Sequence, residues 1–254
     1  MHLPPHRTNV TRTMPEPPPL DPSRDALFLD FDGTLVPLAE RPEAVHVPDT
    51  LIERLHRLAD RLDGRLAIVS GRYIADLDGF GLGALPVAGS HGGEWRLADG
   101  EHCALPRPKS LDAAREAFVA FSAAREGVIF EDKPLGAALH FRLAPQHADA
   151  SIALAREHAA GLHLQPGHEM IEVRVPGVHK GTAIARLMDV PPFAGHRPVF
   201  LGDDVTDEDG FAAVTSLEGH GVLIGPVRES RAAYRLSDPA AVKAWLAAML
   251  EPAG

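Results

Sequence analysis

Short continuous apolar runs alternate with stretches of helical period along most of this chain. Ala26-Leu27-Phe28-Leu29 is the first such run, and Leu51, Ile52, Leu55, Leu58, Ala59 and Leu62 follow it at i, i+3, i+4 spacing behind Pro48. The run predicts a strand buried on both faces of a parallel sheet, and the spacing predicts a helix over 49–62 lying on that sheet. The alternation continues with a strand over 65–69, a short helix over 74–77 and a strand near 85–88. Residues 95–97 and 104–105 flank Asp99-Gly100, a dipeptide suited to a hairpin turn.

The pattern changes between 106 and 177. Helical period over 111–125, strands over 128–131 and 137–142, helical period over 148–160, and strands over 162–165 and 170–175 give the order α-β-β-α-β-β. That is the order of a small layer with an antiparallel sheet. The earlier alternation then resumes, with helices over 181–188, 208–214 and 240–249 and strands over 198–201 and 221–224. The predicted fold class is therefore α/β. It has a doubly wound, Rossmann-like parallel-sheet core over 25–105 and 178–254, with an inserted α+β layer over 106–177. Residues 1–24 carry seven prolines and few apolar partners, so a disordered or extended tail is expected.

Composition narrows the function. The formal net charge of the 254 residues is −10, which argues against broad binding to nucleic acid or anionic membranes. A small anionic substrate held by a few local cations remains compatible with it. Cys103 is the one cysteine, which excludes a disulfide framework and a multi-cysteine zinc site. The 14 histidines show no helical His-x-x-x-His pair, and the two tryptophans, Trp95 and Trp245, stand apart from any base-stacking platform. No apolar run approaches the roughly 18 residues of a membrane span. Pro and His stand near the start, where a signal peptide would be apolar. The expectation is a cytoplasmic protein, a monomer by default, without membrane or nucleic-acid partners.

Four fragments carry chemistry. Asp30-Phe31-Asp32-Gly33-Thr34 closes the first apolar run. Gly33 permits a turn that points two carboxylates into one crevice, where one can attack phosphorus while the other manages protons; a βα turn with Asp as a helix cap is the other reading. Ser70-Gly71-Arg72 closes the second strand; its hydroxyl and backbone N–H groups can hold a phosphoryl oxygen, although an ordinary helix cap is the simpler reading of that fragment alone. Lys180-Gly181-Thr182 sets a lysine against the helix macrodipole, which is unfavourable unless carboxylates or an anion lie close; a solvated lysine is the other reading. Between Asp203 and Asp209, five acids occupy seven positions at a strand end. Such oxygen ligands suit Mg²⁺, while an acidic helix cap is the alternative.

Taken in order, these fragments resemble the motifs of the haloacid dehalogenase superfamily of phosphotransferases. Gly89-Ser90-His91-Gly92-Gly93-Glu94, Glu131-Asp132-Lys133, Ala138-Leu139-His140-Phe141-Arg142, Ile171-Glu172-Val173-Arg174 and Gly202-Asp203-Asp204-Val205-Thr206-Asp207-Glu208 are in turn similar to the trehalose-6-phosphate phosphatase family. The likeness runs from about residue 25 to about 250. It implies a Mg²⁺-dependent phosphatase acting on a sugar phosphate, with Asp30 as nucleophile and Asp32 as general acid and base. It also implies Ser70 on the phosphoryl group and Lys180 neutralising charge. Asp30, Asp203 and the backbone carbonyl of Asp32 would hold the metal, and Asp204 and Asp207 would orient Lys180 or metal-bound water. The inserted layer becomes a cap whose Glu131, Lys133 and Glu172 recognise the sugar. His140 and Arg142, and Arg72 and His91 from the core, are further candidates to line the crevice.

Two departures stand out. Pro134 follows Lys133 where many relatives have Gly, and Val175 precedes Pro176 where the family has proline directly after the basic residue. A same-class phosphatase for sucrose 6-phosphate or mannosyl-phosphoglycerate is the nearest alternative. A receiver-type phosphoacceptor module is a more distant one, opposed by Asp32 and by the inserted layer.

Overall fold

The computed structural model describes residues 14–39, 41, 44–97 and 99–251. Its larger sheet contains β1 (Asp25–Leu29), β2 (Leu66–Val69), β3 (Val87–Gly89), β4 (Glu94–Arg96) and β5 (His102–Ala104). The smaller sheet is built from β6 (Ile129–Lys133), β7 (Gly136–His140), β8 (His163–Gly167) and β9 (Met170–Arg174). β10 (Arg197–Gly202), β11 (His220–Ile224) and β12 (Tyr234–Leu236) return to the larger one, in the order β12-β11-β10-β1-β2-β3-β4-β5. The pairs from β12 to β3 are parallel, and β4 and β5 extend the edge as an antiparallel hairpin.

The alternation of the strands builds two cores. Leu27, Leu29, Leu66, Ile68, Val199 and Leu201 face α1 (Asp49–Arg61) and α7 (Pro239–Ala248). Ala26, Phe28, Ala67, Val69 and Phe200 face α5 (Lys180–Met188) and α6 (Glu208–Ser216). Because both faces are covered, the strands read as unbroken apolar runs. α2 (Ile74–Gly79) follows β2. At the N-terminal ends of the strands, the buried Asp25 accepts from Arg197 Nε at 2.7 Å and Nη2 at 3.1 Å.

The second sheet is antiparallel, in the order β6-β7-β9-β8. Leu139, Ile171 and Val173 on one face pack against Leu111 and Phe118 of α3 (Lys109–Ala123) and Ala155 of α4 (Ala148–Glu157). Glu131, Lys133, Glu172 and Arg174 alternate with the packed positions and stand on the opposite face. The centre of that face is low: register sets Ala138 between Glu131 and Glu172, and Gly136 between Lys133 and Arg174. The hairpin tip docks on the core, where Leu135 lies so close to Gly93 that a Cβ there would sit 2.7 Å from Leu135 Cδ1.

Several expectations change. The predicted tail divides: residues 1–13 lie outside the described residues, while 14–24 run without helix or strand against the folded body. Leu20 and Met14 pack on the two cores and Pro15 O accepts from Arg235 N at 2.9 Å, so disorder is not the state of this part. β12 was not anticipated, being a three-residue edge strand. The strand predicted over 137–142 ends at His140, because Phe141 N–H turns to Glu169 O. No helix among the described residues is long and apolar enough to cross a membrane.

The helix–sheet contact is tight where Gly210 of α6 crosses Phe200; a Cβ on Gly210 would lie 2.4 Å from that ring. Gly210→Ala is expected to cost about 1–3 kcal/mol through overpacking, read as a lower midpoint of thermal unfolding. An unchanged midpoint would contradict this contact.

Candidate active site

The C-terminal ends of β10, β1, β2 and β3 lie side by side, and their loops open toward the second sheet. This edge of an open α/β sheet is where ligands gather. Asp30 leaves β1 buried, and the loop after it closes tightly, with Gly33 N–H donating to Val36 O at 2.8 Å. Gly33 has φ +78, and a Cβ there would lie 2.1 Å from Asp203 Oδ2. Glycine is thus required twice, for the turn and for the approach of the acidic loop.

Lys180 is the first residue of α5 and is 3% exposed. Its Nζ donates to Asp30 Oδ1 and to Asp207 Oδ1, each at 2.6 Å. The other Asp207 oxygen accepts the N–H groups of Asp203 and Asp204, both at 2.9 Å. Burial alone would lower the Lys180 pKa, but Asp30 and Asp207 reverse this and the ammonium is held firmly protonated. Burial raises the Asp30 carboxyl well above the usual carboxylate range, with Lys180 pulling the other way and Asp207 adding to the rise. Asp203 is pushed up to about 6 by burial and by Asp207, and Thr34 Oγ1 donates to it at 3.4 Å.

One oxygen each from Asp30, Asp203 and Asp207 lies within 4.8 Å of the others. Three carboxyl groups so close favour protons or a cation among them. Asp207 is already consumed by Lys180 and two backbone donors, which leaves Asp30 and Asp203 as the pair suited to a small hard cation. Asp32 was expected to offer the metal its backbone carbonyl, not its carboxylate. The carboxylate accepts from Arg72, at Oδ2 from Nε at 2.6 Å and at Oδ1 from Nη2 at 2.8 Å. The Arg72 guanidinium also lies over the rings of Phe31 and Phe80, at 5.5 and 5.4 Å.

Ser70 is buried and its Oγ accepts from Arg72 N–H at 3.1 Å. Ser90 and His91 are two successive left-handed residues, φ 51 and 57. They are held there because Ser90 N–H donates to Arg72 O and His91 N–H to Ser70 O, at 2.8 and 2.9 Å. Glu94 Oε1 secures the same loop by accepting from Ser90 Oγ and Ile74 N–H. Gly71 admits the His91 ring, since a Cβ would lie 2.7 Å from its Nε2.

A cleft of about 480 Å³ lies between the loops after β1, β2 and β3 and the polar face of the second sheet. Asp32, Arg72 and His91 line it on the core side, with Glu131, Lys133 and Glu172 across from them. Lys133 Nζ donates to Glu172 Oε2 at 2.8 Å and lies 3.6 Å from Glu131. The Pro134 departure leaves this hairpin intact: Lys133 pairs with Gly136, and Arg107 donates to Pro134 O at 2.9 Å. His140 stands one row back, its Nε2 2.8 Å from Glu131 Oε2. Arg142 is not brought to the cleft. It lies beyond the end of β7, exposed, and donates to Glu169 at 2.8 Å. Asp204 does not reach Lys180 either; it is exposed and accepts from Val205 N–H at 2.6 Å.

Sequence reasoning passed over three residues. Tyr73, at the start of α2, donates to Asp132 O across the cleft at 3.3 Å. Arg228 pairs with Glu208 and donates to Asp204 O at 2.8 Å, which braces the acidic loop. Arg174 lines the cleft beside Lys133. Tyr73 and Arg228 carried no local motif that would single them out, while Arg174 lay in the Ile171–Arg174 fragment without being given a role.

Comparison with known proteins extends the resemblance. The family described as trehalose-phosphatase matches residues 28–240. Over 244 residues the chain is 39% identical to the trehalose-6-phosphate phosphatase of Escherichia coli, covering 93% of this chain and 90% of that one. It is 38% identical to a probable trehalose-phosphate phosphatase of Sinorhizobium fredii, over 88% and 87% of the two chains. The trehalose-6-phosphate phosphatase of Aspergillus fumigatus superposes with a TM-score of 0.69 at 27% identity, over 92% of this chain and 98% of that one.

The His91 environment sets a pH dependence. Burial, then Lys180, Lys133 and Arg174, lower its pKa from 6.5 to about 4. Between those values the unfolded chain binds the proton more readily than the folded one, so this contribution is lost as pH falls from 6.5 to 4. The loss should reach about 3 kcal/mol. His91→Asn, which suits the left-handed backbone, should give a shallower acid limb in unfolding midpoints; parallel curves for the two proteins would refute this.

Proposed function

The chain belongs to the trehalose-phosphatase family, and from that membership we propose that it hydrolyses trehalose 6-phosphate to trehalose and phosphate through an aspartyl-phosphate on Asp30. One observation carries the reading: Asp32 and Arg72, in the strand-end loops that also bear Ser70 and the Lys180-bound Asp30, line one cleft whose opposite wall is Glu131, Lys133 and Glu172.

Asp30 attacks phosphorus, and Lys180 holds the attacking carboxylate while neutralising charge that gathers on the phosphoryl oxygens. Asp207 keeps Lys180 aimed at Asp30. Ser70 donates to a phosphoryl oxygen from the end of β2. Asp32 gives a proton to the leaving sugar oxygen and then takes one from the water that cleaves the aspartyl-phosphate. Arg72 engages both Asp32 oxygens, so this transfer requires that pair to open. Mg²⁺ held by Asp30, Asp203 and the backbone carbonyl of Asp32 would supply further neutralisation of the phosphoryl charge.

The small sheet, over about 106–177, serves as a cap that recognises the sugar and keeps bulk water from the phosphorylated aspartate. Carboxylates and an ammonium in one row accept from and donate to neighbouring hydroxyls, and Ala138 and Gly136 leave room for a ring between them.

Phosphate release from a panel of sugar phosphates tests this reading. Trehalose 6-phosphate should be preferred, with turnover lost in EDTA and reduced on the order of a thousandfold or more in Asp30→Asn. Preference for another sugar phosphate would overturn the substrate. Glu131→Gln and Glu172→Gln should each lower kcat/KM for trehalose 6-phosphate by about tenfold or more, with hydrolysis of a small aryl phosphate nearly unchanged. Equal losses on both substrates would refute the sugar-recognition role.

A further inference from the structure

Arg174 is the cleft residue whose charge is unanswered. It ends β9, lines the cleft, is half-buried, and its side chain makes no hydrogen bond or ion pair with any described residue. The other cations lining the cleft are engaged, Arg72 by Asp32 and Lys133 by Glu172. A guanidinium partly removed from water without an acceptor is costly, and it becomes favourable once an anion fills the space beside it.

The fold holds this charge toward the catalytic loops. Register puts Arg174 and Lys133 on either side of Gly136, in the row adjoining the hairpin tip. That tip rests on the core through Leu135 and Gly93. Val175 N–H donates to Leu135 O at 2.8 Å, which fixes the backbone directly after Arg174. Proline at position 175 could not make this bond, so the departure from the family pattern has a structural consequence here. His91 marks where the charges meet: Lys180, Lys133 and Arg174 all act on its ring, from the core and from the small sheet.

A phosphate monoester brings two negative charges, whereas its sugar is neutral. A guanidinium offers paired donors that match phosphate oxygens. Building on the proposed phosphatase activity, we propose that Arg174 binds the phosphoryl group of the substrate from the small-sheet side, facing Lys180 across it. The anion would then be gripped by both layers, and the sugar trough of Glu131 and Glu172 would begin one row further from the metal pair.

The test uses the full chain with aryl phosphate as reporter and two separate inhibitors, inorganic phosphate and trehalose. Arg174→Gln should raise KM for aryl phosphate and trehalose 6-phosphate, and weaken inhibition by inorganic phosphate, by about tenfold or more. Inhibition by trehalose should stay within about twofold, and Arg174→Lys should recover part of the loss. Unchanged phosphate inhibition would overturn the proposal. So would weakened trehalose inhibition with phosphate inhibition intact, which would make Arg174 a sugar contact. A lower unfolding midpoint with every ligand weakened and no recovery in Arg174→Lys would reduce it to a structural role. Should the unaltered protein hydrolyse aryl phosphate but ignore trehalose 6-phosphate, the substrate reading would fail while the phosphate-inhibition comparison would still decide the role of Arg174.

Discussion

A buried ammonium between two carboxylates holds this structure's catalytic edge together. Lys180, Asp30 and Asp207 come from three separate strand ends and helix starts, and each is nearly inaccessible to water. Removing an ammonium from water costs several kcal/mol, which only close, well-oriented acceptors offset. The surroundings are built to supply them. His179 and Thr182 cap the helix that begins at Lys180, while backbone N–H groups of Asp203 and Asp204 fix Asp207. Gly202 has no Cβ to obstruct Asp207, whose Cγ would lie 2.4 Å from one. Loss of either carboxylate would leave a buried charge short of partners, so stability and chemistry draw on the same contacts.

The same constraint explains how a strongly acidic protein handles an anionic substrate. The net charge of the chain is −10, yet the cleft gathers Arg72, Lys133 and Arg174 on its walls. Local geometry outweighs net charge at contact distance, since Coulomb attraction grows as charges approach and as water is excluded. On the proposed function the two layers divide the work, with the strand ends of the large sheet serving phosphorus chemistry and the polar face of the small sheet serving hydroxyls.

Much of the fold was legible because its signals are local. Ala26–Leu29, 66–69 and 198–201 read as buried strands since helices cover both sheet faces, and the periodicity of 49–62 is that of α1 to within a residue. Asp30 and the 203–209 acids stood out as candidates because they follow apolar runs at strand ends, and Lys180 because a cation at a helix start opposes the macrodipole. What escaped depends on partners distant in sequence. The Arg72–Asp32 pair spans forty residues, and the brace of Arg228 on the acidic loop spans twenty-four. Arg142 looked like part of an alternating strand, but the strand stops at His140 when Phe141 bonds to Glu169. Left-handed Ser90 and His91 give no warning in composition; contacts with the loop at Ser70 and Arg72 impose them.

The account depends on Asp30 carrying the phosphoryl group. Rapid acid quenching of the protein during turnover of trehalose 6-phosphate, in the native chain and in Asp32→Asn, followed by peptide mass spectrometry, addresses that directly. The account predicts a hydroxylamine-labile phosphoryl adduct on Asp30 that accumulates when Asp32 is altered. A phosphoryl group on another residue, or continued phosphate release with no adduct at any time, would contradict it.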